Sequence, residues 1–185
     1  MSRIWKKQAS RYVGHYPVFN LRQDVCISPR TGKEHTIYVF ETRDWINIIP
    51  LTPDQQVVMV RQYRFGSEQM TLETPGGLVD HADPSIIHAA RREMLEETGY
   101  DSDEFISLGA VRPNPALQNN TSHSFLALNV QCVREQNLDA GEDIQVELVP
   151  LQEIPRLILN GTIDHSIVLN AFYLYELNQR RDNPL

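Results

Sequence analysis

Apolar positions in the first two-thirds of this 185-residue chain come in short runs rather than at helical spacing. Thr36-Ile37-Tyr38-Val39-Phe40 is β-branched or aromatic throughout, and Ser28-Pro29-Arg30-Thr31-Gly32 before it is turn chemistry. A hairpin is predicted between Tyr16 and Phe40. Trp45–Leu51 and Val57–Val60, divided by Thr52-Pro53-Asp54-Gln55, read as a second pair of strands. Further strands are expected near Met70–Glu73, Ile106–Val111, Ser122–Val130 and Ile144–Leu151. Two segments change period. Asp83-Pro84 reads as an N-cap with proline at the first helical position and Gly99 as a terminating glycine, so a helix is predicted from Pro84 to Thr98. Ile87, Ala90 and Met94 would form its buried face. A second helix, from Ser166 to Asn178, carries Ile167, Ala171, Leu174 and Leu177. Mixed strands with two such helices predict an α/β (α+β) chain, an α/β/α sandwich with a mixed sheet and an N-terminal β-hairpin segment.

The first helix also carries Arg92-Glu93-Met94-Leu95-Glu96-Glu97-Thr98-Gly99. Glu93, Glu96 and Glu97 fall within an arc of roughly 100° on its surface. Like charges at these spacings destabilise an isolated helix by about 0.2–0.5 kcal/mol per pair. A bare pair of glutamates is ordinarily a solvated face, here with Arg92 paired to Glu96. The flanks point elsewhere, because the two glycines of Thr74-Pro75-Gly76-Gly77 let backbone approach a ligand closely. A hard cation such as Mg²⁺, which takes oxygen ligands and keeps some of its water, compensates such acids when it also grips a substrate phosphate.

Composition narrows the partners. The length suits one well-buried core, and a net charge of -7 argues against holding nucleic acid by phosphate neutralisation. An anionic substrate must then be met locally, by metal and a few arginines. Cys26 and Cys132 match neither a zinc spacing nor a disulfide framework, and none of the six histidines has metal-ligand spacing. The start of the chain lacks the apolar stretch of a signal peptide, and no apolar run reaches membrane-spanning length. A cytoplasmic setting without a membrane partner is expected.

From Arg92 to Tyr100 the chain resembles the Nudix hydrolases, whose box also asks for a glutamate near the helix start. This sequence departs there, offering Asp83 with one extra residue before Arg92, so Asp83 is not counted among the metal ligands. The resemblance extends over about residues 20–178 and points to the branch of ADP-ribose and nucleoside diphosphate sugar pyrophosphatases. Its carriers are Val57–Arg64, Leu72-Glu73-Thr74-Pro75-Gly76-Gly77, Gly141–Glu147 followed by a helix, and Pro115 beyond the box. Asn114–Asn120 replaces the more usual Pro-Gly-rich stretch, which opens the choice of sugar.

By motif position, the resemblance implies metal binding through the Gly76 carbonyl, Glu93 and Glu97, with Glu96 as ligand or support and Arg92 as an orienting salt bridge. Mg²⁺ is the implied cofactor, with Mn²⁺ as a substitute. Glu142 matches the position of the general base, with Asp139 and Asp143 as rivals. Arg64 is placed for a diphosphate or its ribose, or else as a strand-end surface arginine. Trp45 stacks on a base or belongs to the core, and His123 is the histidine to test for a pocket role. The implied reaction is Mg²⁺-dependent cleavage of a nucleoside diphosphate sugar, such as ADP-ribose or GDP-mannose, into a nucleoside monophosphate and a sugar phosphate. Alternatives are another nucleoside polyphosphate as substrate, or a non-catalytic nucleotide-sensing module. Residues 1–42 are expected to form a dimerising β segment and 43–185 the hydrolase domain, as a homodimer.

Overall fold

The computed structural model describes residues 3–182 and resolves into two compact units, one of the chain up to Arg43 with Arg112–Thr121, the other of Asp44–Val111 with the chain from Ser122 onward. In the first unit, β1 (Lys6–His15), β2 (Asn20–Ile27) and β3 (Glu34–Glu41) form an antiparallel meander in that order. The expected hairpin is β2 and β3. The Ser28–Gly32 turn joins them, with Gly32 at φ 68° donating its N–H to the Ser28 carbonyl. The added strand β1 gave no sequence signal, because it is exposed along nearly its whole length and lacks the alternation of a half-buried strand. Its Ser10 hydroxyl donates to Asp24, a buried carboxylate of β2 that Arg22 and Lys7 also neutralise. Arg112–Thr121 attaches to this sheet through a bridge between Phe40 and Gln118.

The second unit runs β4 (Trp45–Leu51), β5 (Gln56–Arg64), β6 (Gln69–Glu73), β7 (Gly76–Leu78), α1 (Ile86–Thr98), β8 (Tyr100–Asp101), β9 (Glu104–Val111), β10 (Ser122–Leu128), β11 (Gln131–Cys132) and β12 (Ile144–Pro150). A single 3₁₀ turn then leads into α2 (Ile154–Leu159) and α3 (Ser166–Asp182). The main sheet has the order β12-β5-β4-β10-β9, with β6 extending β5 and β7 extending β4. It is mixed, since β4 and β10 run parallel while the other neighbours are antiparallel. The expected β4–β5 pair is nominal, meeting only at Leu51 opposite Val57. Each strand finds its main partners later in the chain.

Alternation along the strands divides the core into two layers. Ile46, Ile48, Val58, Phe125 and Ala127 pack with Ala89, Ala90 and Met94 of α1. Ile49, Leu51, Val57, Met59 and Leu126 face the other way, against Ile154 of α2, Ile163, and Val168, Ala171 and Phe172 of α3. The expected α/β/α sandwich is therefore present within this unit. Because both faces are covered, β4 and β5 read as nearly unbroken apolar runs.

The buried helix faces differ from the predicted ones. On α1, Ala89 joins Ala90 and Met94, while Ile87 is 41% exposed. On α3, Val168, Ala171 and Phe172 are buried and Leu177 is 43% exposed. Helical spacing fits more than one stripe, and the sheet selects between them. Met94→Ala is expected to cost about 2–5 kcal/mol through lost contacts and a cavity, and Ile87→Ala no more than about 0.5 kcal/mol. Urea unfolding of the two variants checks the difference; equal losses would put the buried stripe elsewhere.

Candidate active site

The glycine loop is pressed between β4 and α1. β7 pairs antiparallel with β4, Gly76 opposite Asn47 and Gly77 opposite Ile46. A Cβ on Gly76 would collide with the Ile46 carbonyl, and one on Gly77 would lie 2.6 Å from the Glu93 carboxyl. Glycine is required at Gly76 by approach to backbone rather than by φ, and at Gly77 its absence of a side chain leaves the Glu93 carboxyl its place. Asn47 secures the loop from below, donating from Nδ2 to the Ile167 carbonyl of α3 at 2.9 Å and accepting the Thr74 hydroxyl at Oδ1.

Helix α1 starts later than predicted. Ser85 is its N-cap, accepting from the His88 N–H, and Gly99 closes it at φ 75° with its N–H on the Leu95 carbonyl. Asp83 is drawn off capping by Arg92, whose Nε and Nη2 donate to its two oxygens at 3.0 and 2.9 Å. That partner holds the Asp83 carboxyl below the usual range. Arg92 Nη1 turns back to Glu93 at 2.9 Å and Glu96 at 3.0 Å. One guanidinium thus orders three carboxylates, as its fixed fork of donors allows.

Glu97 has no such cation. It is only 3% exposed, and Oε2 accepts the Gly76 N–H at 2.9 Å. Burial, with the charges of Glu93 and Glu142 adding to it, pushes its carboxyl up to about 8, against the Gly76 N–H and Arg64. Glu93 is raised too, first by burial and then by Glu96 and Glu142, against Arg92. Among the described residues no three His, Cys, Asp or Glu side chains converge as a ready-made metal cage, since Glu93 and Glu96 are turned onto Arg92. The donor set nevertheless fits a hard cation. Oxygen-only ligands, with two carboxylates strained by burial and mutual repulsion, are what a divalent ion relieves.

Glu142 sits in an exposed turn, its N–H on the Asp139 carbonyl and its Oε2 accepting the Asp139 N–H at 3.0 Å. Its charge acts on Glu93, Glu97 and Arg64, so the fold gathers all four into one electrostatic site. Asp139 and Asp143 occupy the same turn and are exposed. Trp45 and His123 lie at the beginnings of β4 and β10, Trp45 half-buried opposite Ser122 and Leu78, His123 with Nε2 3.4 Å from Asp44. Pro115 belongs to the first unit, in an exposed turn where Asn114 accepts the N–H groups of Leu117 and Gln118.

Two participants escaped sequence reading, Glu73 and His165. Arg64 is no free strand-end arginine, for its Nε and Nη2 donate to Glu73 at 2.8 and 2.6 Å. Glu73 also accepts the Thr71 hydroxyl at 2.6 Å. His165 Nδ1 is 2.9 Å from Glu73, an ion-pair distance but off the line of a good hydrogen bond. Burial alone would raise the Glu73 carboxyl; the bonds from Arg64 and Thr71, with His165 close by, overcome it and hold the group far below the usual range. A charged residue in the buried stretch Thr71-Leu72-Glu73 was the available signal, since such a charge demands a partner.

The family model for the NUDIX domain matches residues 41–172. The chain belongs to the Nudix family. Its relatives include an ADP-ribose pyrophosphatase of Bacillus subtilis, 27% identical over 72% of both chains. A GDP-mannose pyrophosphatase of Citrobacter koseri is 33% identical over 65% of this chain and 67% of its own. In fold, the chain matches the crystal structure of an ADP compounds hydrolase with a TM-score of 0.84, covering 97% of this chain and 96% of the other at 19% identity. The protein is a Nudix hydrolase with pyrophosphatases among its relatives. No helix among the described residues is long and apolar enough to cross a membrane.

The depressed Glu73 carboxyl has a testable sign. Because its folded value lies below the unfolded one, its stabilisation is complete above the unfolded value and is lost as pH falls below it. Glu73→Gln is expected to lower stability at neutral pH by about 2 kcal/mol and to flatten the acid limb between roughly pH 5 and 3. Urea midpoints against pH measure both. An unchanged acid limb would remove Glu73 as its source.

Proposed function

We propose that this Nudix hydrolase cleaves the diphosphate of a nucleoside diphosphate sugar, releasing a nucleoside monophosphate and a sugar phosphate, with Mg²⁺ as cofactor. The observation that carries the reading is Glu97: a buried carboxylate of α1, bonded to the Gly76 N–H of the glycine loop and near Glu93, with no cation of its own except distant help from Arg64. The substrate class follows from the ADP-ribose and GDP-mannose pyrophosphatase relatives. ADP-ribose leads, with GDP-mannose or another hexose nucleotide next.

Glu93, Glu97 and the Gly76 carbonyl would hold the ion, with Glu96 in support. Mg²⁺, when bound, screens the diphosphate oxygens and acidifies a water. Arg92 orders Glu93 and Glu96 from the side. Glu142, exposed and near the acids, takes the proton from the attacking water as general base. Arg64 offers its remaining donors to the diphosphate. Trp45 supplies a half-buried ring to a base, and His123 contacts the substrate from the neighbouring strand β10.

Products from a panel of nucleoside diphosphate sugars with Mg²⁺, identified by mass, test the substrate class. Glu97→Gln is expected to abolish the activity while leaving the circular dichroism spectrum and metal-free melting temperature unimpaired, since it removes a charge that burial disfavours. Undiminished turnover in that variant would end the metal-ligand assignment. Glu142→Gln should lower kcat about 10²–10⁴-fold with a smaller change in KM. A wild-type kcat would move the base to Asp139 or Asp143.

We also propose that residues 1–42 build a homodimer in the cytoplasm. The three-stranded sheet exposes Tyr12 and Tyr38, and the turn between β1 and β2 exposes Tyr16 and Val18, each at 49–59%. So much apolar area on one small sheet and its turn suits a partner surface. Light scattering on a sizing column checks it, and a monomer across the micromolar range would refute it.

A further inference from the structure

Arg64 stands between two sets of carboxylates. One is Glu73, gripped through Nε and Nη2 and itself fixed at both oxygens, Oε1 by Thr71 and Oε2 beside His165. The other is the acid site: Ile144, just past Glu142, pairs with Gln62 on the strand of Arg64, Gln136 joins the Ile144 and Glu97 carbonyls, and the charges of Glu97 and Glu142 act on the guanidinium. The Arg64 side chain is 42% exposed, against 3% for Glu73, so packing alone does not hold the arginine in place. A two-point bond to a buried, pre-ordered carboxylate is the stronger of the two attractions.

We infer that Glu73 is a positioning residue that anchors Arg64 away from Glu97 and Glu142, so that those acids stay open to a divalent cation. The inference rests on the reading of Glu93 and Glu97 as metal ligands. Its logic is competition for charge. An arginine settled on Glu97 would supply the compensation that a cation otherwise brings, and an incoming ion would have to displace it. Held on Glu73, the same guanidinium keeps its remaining donors for an anionic substrate. Thr71 and His165 serve the same end, because a Glu73 carboxylate free to rotate would not hold a fork in one orientation.

Mn²⁺ alone, without substrate, is the probe, with free ion counted by electron paramagnetic resonance. Glu73→Gln is expected to weaken Mn²⁺ binding about 10-fold, since Arg64 is then released toward the acids. Adding Arg64→Gln to that variant should restore the affinity to within about 2-fold of wild type, because the competing cation is gone. Arg64→Lys, which leaves Glu73 a cation but abolishes the fork, should also weaken binding, and it does so without burying an unpaired glutamine. A double variant as weak as Glu73→Gln would mark Glu73 as structural only and overturn the inference. So would wild-type affinity in both Glu73→Gln and Arg64→Lys; in that case loss of binding in Glu97→Gln would leave the metal-ligand reading standing. Mn²⁺ binding untouched by Glu97→Gln would overturn both.

Discussion

Coverage of the central sheet on both faces is the constraint from which the rest follows. β4, β5 and β10 send alternate residues into two apolar layers, one closed by α1 and the other by α2 and α3. A polar group inside such a sheet must find its partner within the protein, since leaving it unpaired costs about 1–3 kcal/mol. Asn47 shows how this is met. Lying 2% exposed in the middle of β4, it bonds the Thr74 hydroxyl on one side and the Ile167 carbonyl on the other. One buried amide thereby ties the glycine loop to the start of α3, and the loop is where α1 brings its acids.

The site itself is a balance of buried like charges and placed cations. Two arginines serve it in opposite ways. Arg92 sits among the acids and satisfies Asp83, Glu93 and Glu96, which leaves Glu97 without it. Arg64 is kept at a distance by Glu73 and acts on Glu97 only through space. The result is a carboxylate that burial pushes toward neutrality and that a divalent ion would return to its charged form. In the Glu73 cluster the balance is reversed, since Arg64 and Thr71 both donate to one buried acid and hold it charged.

Much of this was legible in the order of residues, and what was not shares a physical cause. The acids on α1, the two glycines and the strand runs are local patterns, set by periods of 3.6 and 2 and by the steric needs of a close loop. Asp83 misled because Asp-Pro is a strong local capping signal, whereas the winning partner, Arg92, lies two turns along the helix. Ile87 misled because a helical stripe can be drawn in more than one register until the sheet chooses. Glu73 and His165 come from different thirds of the chain, and no spacing rule joins them. β1 is invisible for the complementary reason: with few buried side chains, it leaves no pattern to read.

Glu142 is placed by contacts of the long-range kind. Its turn is exposed and internally bonded to Asp139. Both ends of that turn are tied down, however. The Asn137 N–H donates to the Glu96 carbonyl, and Gln136 Nε2 donates to the carbonyls of Glu97 at 2.5 Å and Ile144 at 3.1 Å. The backbone that carries the acids is therefore the backbone that anchors the turn, with β12 beginning at the second anchor. The anchors on either side of Glu142 thus fix where its turn stands relative to the helix that carries Glu93 and Glu97.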